Sequence, residues 1–162
     1  TTEAGRPSRR SGIEFANYYR PTRWLTLDAD IAWSVARFTD ADPAGRDIPG
    51  SVRTVAAGGV TIDGVSPLYG SLRFRYFGPR PLLEDGSRRS RATTLANVEA
   101  GYRLSPRLRL SADLLNLFDA RASDIDYFYT SRLPFEPADG VEDFHFHPVI
   151  PRMVRLALTA SF

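Results

Sequence analysis

Hydrophobic and polar residues alternate with a period of two along most of this chain, and the alternation is sustained over long segments. In Leu25–Phe38, Leu25, Leu27, Ala29, Ile31, Trp33 and Val35 fall on one side of an extended chain. Thr26, Asp28, Asp30, Ala32, Ser34 and Ala36 fall on the other, which is polar and small. The same reading predicts strands near 12–20, near 52–63 and over Leu68–Phe77, where Leu72, Phe74 and Tyr76 oppose Ser71, Arg73 and Arg75. It continues at 94–104, with Ala96, Val98, Ala100 and Tyr102 against Asn97, Glu99 and Arg103. At 108–118 it sets Leu108, Leu110, Ala112 and Leu114 against Arg109, Ser111 and Asp113. A last strand over 152–162 sets Val154, Leu156, Leu158, Ala160 and Phe162 against Met153, Arg155, Ala157, Thr159 and Ser161. The fold class that follows is all-β, an antiparallel up-and-down meander of about seven long strands, each oily on one side and wet on the other.

The connections alternate in length. Short turns carry Pro or Gly: Pro21-Thr22-Arg23, Asp63-Gly64-Val65-Ser66-Pro67 and Ser105-Pro106-Arg107. Long polar loops lie between them, at 39–50, 78–92 and 119–148. Short turns on one side and long loops on the other are how outer-membrane β-barrels are built, with the long loops outside the cell. If the last strand runs inward, all three short turns fall on the periplasmic side and all three long loops outside. The strands are also about ten residues or longer, enough to cross hydrocarbon at the usual tilt, whereas soluble strands average about five or six. Trp24, Trp33 and Phe38, with Tyr18, Tyr19, Tyr102 and Phe162, lie near strand ends, as interfacial aromatic girdles require.

Composition narrows the choices without naming one. The 162 residues are 43% hydrophobic and contain no run of about twenty apolar residues, so a membrane-spanning helix is excluded while alternating strands are not. All 21 basic side chains are Arg, and the net charge of +2 is too small to suggest a nucleic-acid partner. The absence of Cys removes disulfides, a thiol nucleophile and thiolate metal sites. Residues 1–11 are polar and Arg-rich with no apolar signal-peptide core, so the chain reads as a mature protein or a fragment.

Several motifs resemble one family. The segment Leu114-Leu115-Asn116-Leu117-Phe118-Asp119 resembles the "NLFD" element on the penultimate strand of TonB-dependent outer-membrane receptors, and 154–162 resembles their last strand. Val154, Leu156, Leu158, Ala160 and the terminal Phe162 resemble the C-terminal signal read by the barrel assembly machinery. Pro49-Gly50, Arg75-Tyr76-Phe77-Gly78, His147-Pro148 and Pro151-Arg152 also resemble the family. The resemblance implies that residues 1–162 are the last third of a 22-strand barrel in the Gram-negative outer membrane, with the plug and the first strands absent. It further implies import of a scarce solute (a siderophore-type iron complex, a vitamin or an oligosaccharide), driven by the TonB complex through a missing N-terminal region. The implied partners are the remaining strands and plug, the TonB complex, the barrel assembly machinery, membrane lipid and lipopolysaccharide; no cofactor is implied.

Candidate binding residues cluster in the last loop. The stretch 124–133 alternates and is expected to continue the sixth strand above the membrane, offering Asp126, Tyr127, Tyr129 and Arg132 to a solute or merely pairing across a hairpin. His145 and His147, near Asp139, Glu142 and Asp143, have the residue types of a divalent-metal site, but Phe144 and Phe146 alternate with them as in any strand with one polar side. No metal site is assigned; the two histidines join the ligand-binding candidates. Arg88, Arg89 and Arg91 suit either lipid phosphate or solvent. The inward charges Arg73, Arg75, Arg103, Arg109 and Arg155 are expected to ladder with Asp28, Asp30, Glu99 and Asp113. No catalytic set is visible. The alternatives that remain are an outer-membrane barrel enzyme, with Ser, His and an acid at one rim, and a soluble β-sandwich binding module.

Overall fold

The computed structural model describes residues 5–64 and 67–162. The strands are β1 (Ser8–Tyr19), β2 (Leu25–Phe38), β3 (Thr54–Ile62), β4 (Leu68–Phe77), β5 (Thr93–Ser105), β6 (Leu108–Leu115), β7 (Ser123–Ser131), β8 (Val141–Pro148) and β9 (Met153–Ala160). Seven of them form one sheet in the order β1-β2-β3-β4-β5-β6-β9, antiparallel throughout, while β7 and β8 pair only with each other.

The register carries each apolar set onto the same side of the sheet. One row runs Leu27–Val60–Leu72–Val98–Leu114–Val154, and the next runs Leu25–Ile62–Gly70–Ala100–Ala112–Leu156. A slip of one residue at any strand would have moved its set to the other face. The opposite face collects charge, with ion pairs Arg73–Asp28, Arg103–Asp63 and Arg155–Asp113, the last at 2.9 Å. Arg73 reaches Asp28 across Gly59: Asp28 pairs with Gly59, and Gly59 with Arg73, so a Cβ there would lie 2.8 Å from the Arg73 side chain. Gly101 similarly lies under the Tyr69 ring, over which Arg103 sits at 4.7 Å.

Nothing among the described residues covers the apolar face. Ile13, Phe15, Leu72, Phe74, Val154, Leu156 and Leu158 are all exposed, Ile13 and Leu156 at 73%. The chain exposes 11771 Å² in all, where a compact 18.1 kDa protein exposes roughly 8,000 Å². A sandwich needs a second sheet against that face, and none lies there among the described residues. Such a face is stable only against hydrocarbon or another apolar surface.

The structure changes three readings. The stretch after β6 does not prolong it: β6 stops at Leu115, Asn116 and Asp119 turn the chain with φ of 49° and 53°, and β7–β8 forms its own sheet. Asn and Asp tolerate that left-handed conformation better than other side-chain-bearing residues, which is why "NLFD" is a strand end and not strand interior. The first strand begins at Ser8, four residues before the alternation becomes clear. The last ends at Ala160, leaving Phe162 outside it and fully exposed. The turn at 63–67 includes Val65 and Ser66, which lie outside the described residues. The other short turns are tied locally: the Leu25 amide donates to Thr22 Oγ1 at 3.1 Å, and the Arg107 amide to Ser105 Oγ at 3.2 Å.

Candidate functional site: the outer loop layer

Three long connections join at the end of the sheet opposite the short turns: 39–53, 78–92 and the segment bearing β7–β8. Almost everything buried in this chain is buried there, including Ala36, Pro81, Leu82, Ser90, Thr93, Asn116 and Val149. The first two loops interlock through backbone bonds from Asp47 N–H to Glu84 O and from Gly50 N–H to Pro81 O, both 2.8 Å. Arg6, just ahead of β1, holds the same junction. It bonds Asp40 at 2.7 Å and the Gly45 carbonyl at 3.0 Å, pairs with Glu84, and lies 4.1 Å over the Phe38 ring. The hydrogen bond with Arg6 holds the Asp40 carboxyl below its ordinary range and pushes the Arg6 guanidinium up. In the next loop the Ser87 backbone N–H, then its hydroxyl, hold the Asp85 carboxyl low.

Asn116 fixes where the third connection leaves the wall. Its side-chain amide donates to the carbonyls of Ala120 and Ile150, each at 3.1 Å, while its oxygen accepts from Ala120 N–H at 2.8 Å. Thr93 Oγ1 donates to Ser123 O at 2.6 Å. From that anchor the β7–β8 hairpin leans on loop 78–92. Arg80 grips Asp126 at 2.9 Å with both side chains nearly buried, and the same guanidinium donates to Asp124 O at 2.9 Å. Arg88 lies 5.1 Å over the Phe128 ring, and Phe128 meets Phe144 edge-on at 5.0 Å.

The hairpin register separates the sequence-predicted candidates. Tyr127, Tyr129, His145 and His147 share one face, since Tyr127 pairs with His145 and Ile125 with His147. Tyr129 stacks on His145 at 3.9 Å and 15°, and His145 Nε2 is buried without a partner among the described residues. Asp126 belongs to the opposite face with Phe128, Phe144 and Phe146. Arg132 lies beyond β7, its Nε 3.4 Å from the Glu136 carbonyl. Among the described residues no three His, Asp or Glu side chains approach one another as metal ligands do. Val154, Leu156, Leu158 and Ala160 line the outward side of β9.

A cleft of about 560 Å³ opens on the Asp126 face of the hairpin. Arg89, Arg91 and Arg121 line it with Asp119, Asp126, Phe144 and Phe146. Asp126 is engaged by Arg80, and Asp119 accepts the Arg152 backbone N–H at 3.1 Å, whereas Arg91 and Arg121 make no ion pair among the described residues. A second cleft of about 290 Å³ runs between Arg80, Gly50 and the Tyr127–Tyr129 edge of the hairpin. Sequence reading missed Arg80 and Arg121. A buried-side acid such as Asp126 demands a cation, but nothing in the linear order says that the cation lies 46 residues upstream.

No protein-family model and no curated protein matches the chain. Solved structures do. The ferric yersiniabactin uptake receptor FyuA of Yersinia pestis aligns over 96% of this chain with a TM-score of 0.74 at 21% identity. The copper transporter OprC aligns over 96% with 0.68 at 19% identity. The siderophore receptor PiuA of Acinetobacter baumannii aligns over 94% with 0.73 at 15% identity. The chain spans 22–24% of the length of these proteins. A single-layer antiparallel wall, oily on one side and charged on the other, with its long loops gathered at one end, is therefore the fold of the barrel portion of TonB-dependent receptors.

Proposed function

We propose that the chain is part of a TonB-energised outer-membrane importer, and that its outer cleft receives an anionic chelate carrying aromatic or apolar groups, of the siderophore–iron type. The observation that carries the reading is the bare apolar face. A sheet with one face of Leu, Val, Ile and Phe and the other of paired charges fits hydrocarbon outside and a water-filled interior within, and the fold likeness to FyuA, OprC and PiuA supports the reading. In this reading β1 and β9, the two sheet edges, pair with strands supplied by the rest of the polypeptide, since a barrel leaves no open edge in lipid. The inward charges Asp30, Glu99 and Arg109 face a plug from the same receptor. Phe162 and the alternating residues before it serve barrel assembly.

The cleft favours an anion over a neutral vitamin or sugar. Arg91 and Arg121 present guanidinium groups, which grip carboxylate and catecholate oxygens in pairs, and Phe144 and Phe146 supply ring faces beside them. Its volume falls in the range of about 300–1,000 Å³ typical of small-molecule sites. The solute is bound and released without chemistry on it.

The test uses cells carrying the full-length receptor, with uptake of radiolabelled ferric chelates measured with and without a protonophore. Energy-dependent uptake is expected, with R91Q/R121Q weakening chelate binding at least about tenfold through two lost charge-assisted contacts. Uptake that ignores the protonophore contradicts the importer; unchanged affinity in R91Q/R121Q contradicts the assigned cleft.

A further inference from the structure

We propose that Arg9 and Arg37 form a phosphate clamp on the outward face of the wall, for a phosphorylated, multiply acylated glycolipid of the outer leaflet, the lipid A portion of lipopolysaccharide. The proposal rests on the membrane-barrel reading and concerns a surface that the solute cleft does not use.

Arg9 and Arg37 are register partners on neighbouring strands. Because side chains two apart share a face, Arg9 lies above Ser11, Ile13 and Phe15, and Arg37 above Val35, Trp33 and Ile31. Two guanidiniums thus cap the apolar column directly. Like charges placed opposite each other across two strands destabilise a sheet unless an anion lies between them. The protein supplies little of one. The outward positions of β1 and β2 at this end contain no acid. Arg9 makes no ion pair among the described residues, and Arg37 has only Asp47, at 3.9 Å. Asp47 is shared with Arg53 at 3.8 Å and Arg89 at 3.7 Å, so one carboxylate serves three guanidiniums and hydrogen-bonds none of them. Arg6 is no rival, being committed to Asp40 and Glu84.

Height selects the occupant. Ten residues separate Arg9 from Tyr19 along β1, about 33 Å of strand, which a tilt of about 40° reduces to roughly 25 Å, the height of a barrel's apolar band. With Tyr19 at the inner interface, the arginine pair stands at the outer one. A ligand there must place phosphate at the boundary and acyl chains down the Ile13, Phe15, Ile31 and Trp33 surface. A phosphorylated acyl glycolipid does both, whereas free phosphate leaves the apolar column bare.

The experiment titrates the detergent-purified full-length receptor with bisphosphorylated lipid A, with dephosphorylated lipid A and with phosphatidylglycerol, counting bound lipid by native mass spectrometry. R9Q/R37Q is expected to weaken lipid A binding roughly thirtyfold, the effect of losing two basic side chains at an anionic surface. R9K/R37K should recover most of that binding, and dephosphorylating the lipid should reproduce the loss in wild type and add nothing in R9Q/R37Q. Equal binding by wild type and R9Q/R37Q, or no dependence on phosphate, overturns the clamp, and preference for phosphatidylglycerol overturns the choice of lipid. Quenching of Trp33 by brominated acyl chains separates the two readings. Quenching without any arginine dependence defeats the clamp alone; absence of quenching defeats the barrel beneath it.

Discussion

The wall and the loop layer of this molecule are held together by different physics. In the wall, every strand of the seven-stranded sheet is tied to its neighbours by backbone ladders, and the side chains need only be apolar on one side and tolerably polar on the other. Few wall residues are buried, because no second layer among the described residues covers them. In the loop layer the backbone ladders thin out, and individual side chains take over: Arg6 on Asp40 and Glu84, Arg80 on Asp126, Asn116 on Ala120 and Ile150. The wall should therefore tolerate any substitution that respects its two faces, whereas the loop layer should fail at single named residues while the wall stays intact.

The largest effect should come from violating the wall's faces. Leu72 lies mid-strand on the apolar side, so if the wall faces lipid as proposed, Leu72→Arg in the full-length protein should cost about 2–4 kcal/mol and deplete the folded protein from the outer membrane, whereas Ser71→Arg, one residue away on the other side, should be nearly neutral. Heat-modifiability on gels reports both. If the two substitutions behave alike, the wall has no sidedness.

Next comes Asn116→Ala, which leaves the half-buried Ala120 N–H and the Ala120 and Ile150 carbonyls without their side-chain partner and places Ala at φ 49°. A cost of about 2–3 kcal/mol, falling on the third connection, should appear as faster hydrogen exchange over 116–122. Asp126→Ala leaves Arg80 nearly buried without its carboxylate. The hairpin should undock with a penalty of about 1.5–3 kcal/mol, seen as increased exchange in β7 and β8 and unchanged exchange in β4. Equal loosening of β4 would mean that wall and layer are one cooperative unit.

The smallest effect is the response to acid. Asp40 and Asp85 have carboxyl pKa values lowered in the folded chain, by the Arg6 hydrogen bond and by Ser87 respectively. Their stabilisation is fully present above the unfolded carboxylate range, near 4, and is lost as pH falls through the lower folded values. Arg6, shifted upward, stays charged throughout. Exchange over 39–53 should rise below about pH 4 and not between pH 5 and 8, and added salt should blunt the difference.

This division also explains what could be read from the sequence. Period-two alternation is a local signal, and it placed β2 and β4 at their observed ends and set the facing of β2, β4, β5, β6 and β9, because a strand's two sides are written in consecutive residues. Alternation identifies a strand but not its partner, so residues 124–133 read as an extension of the sixth strand when β7 in fact pairs with β8 alone. The turn that separates them depends on two left-handed residues, Asn116 and Asp119, inside a segment whose apolar pattern continues through Phe118. In the candidate site, Tyr127, Tyr129, His145 and His147 do share a face, as residues spaced by two must. Asp126 proved to be the hairpin's anchor to Arg80, a pairing between distant loops that leaves no periodic trace. The same holds for Arg121 and the cleft it lines.

The central claim, hydrocarbon on one side of the wall and water on the other, is most directly tested by spin-label scanning of β2. Single cysteines at positions 26 to 33 of the full-length protein, in a background from which any other cysteine has been removed, would be labelled in lipid vesicles and their collision rates with oxygen and with a water-soluble nickel chelate compared. A barrel wall gives oxygen-dominated labels at 27, 29, 31 and 33 and chelate-dominated labels at 26, 28, 30 and 32, alternating without exception. Labels on both sides that respond alike, or a periodicity other than two, would contradict it.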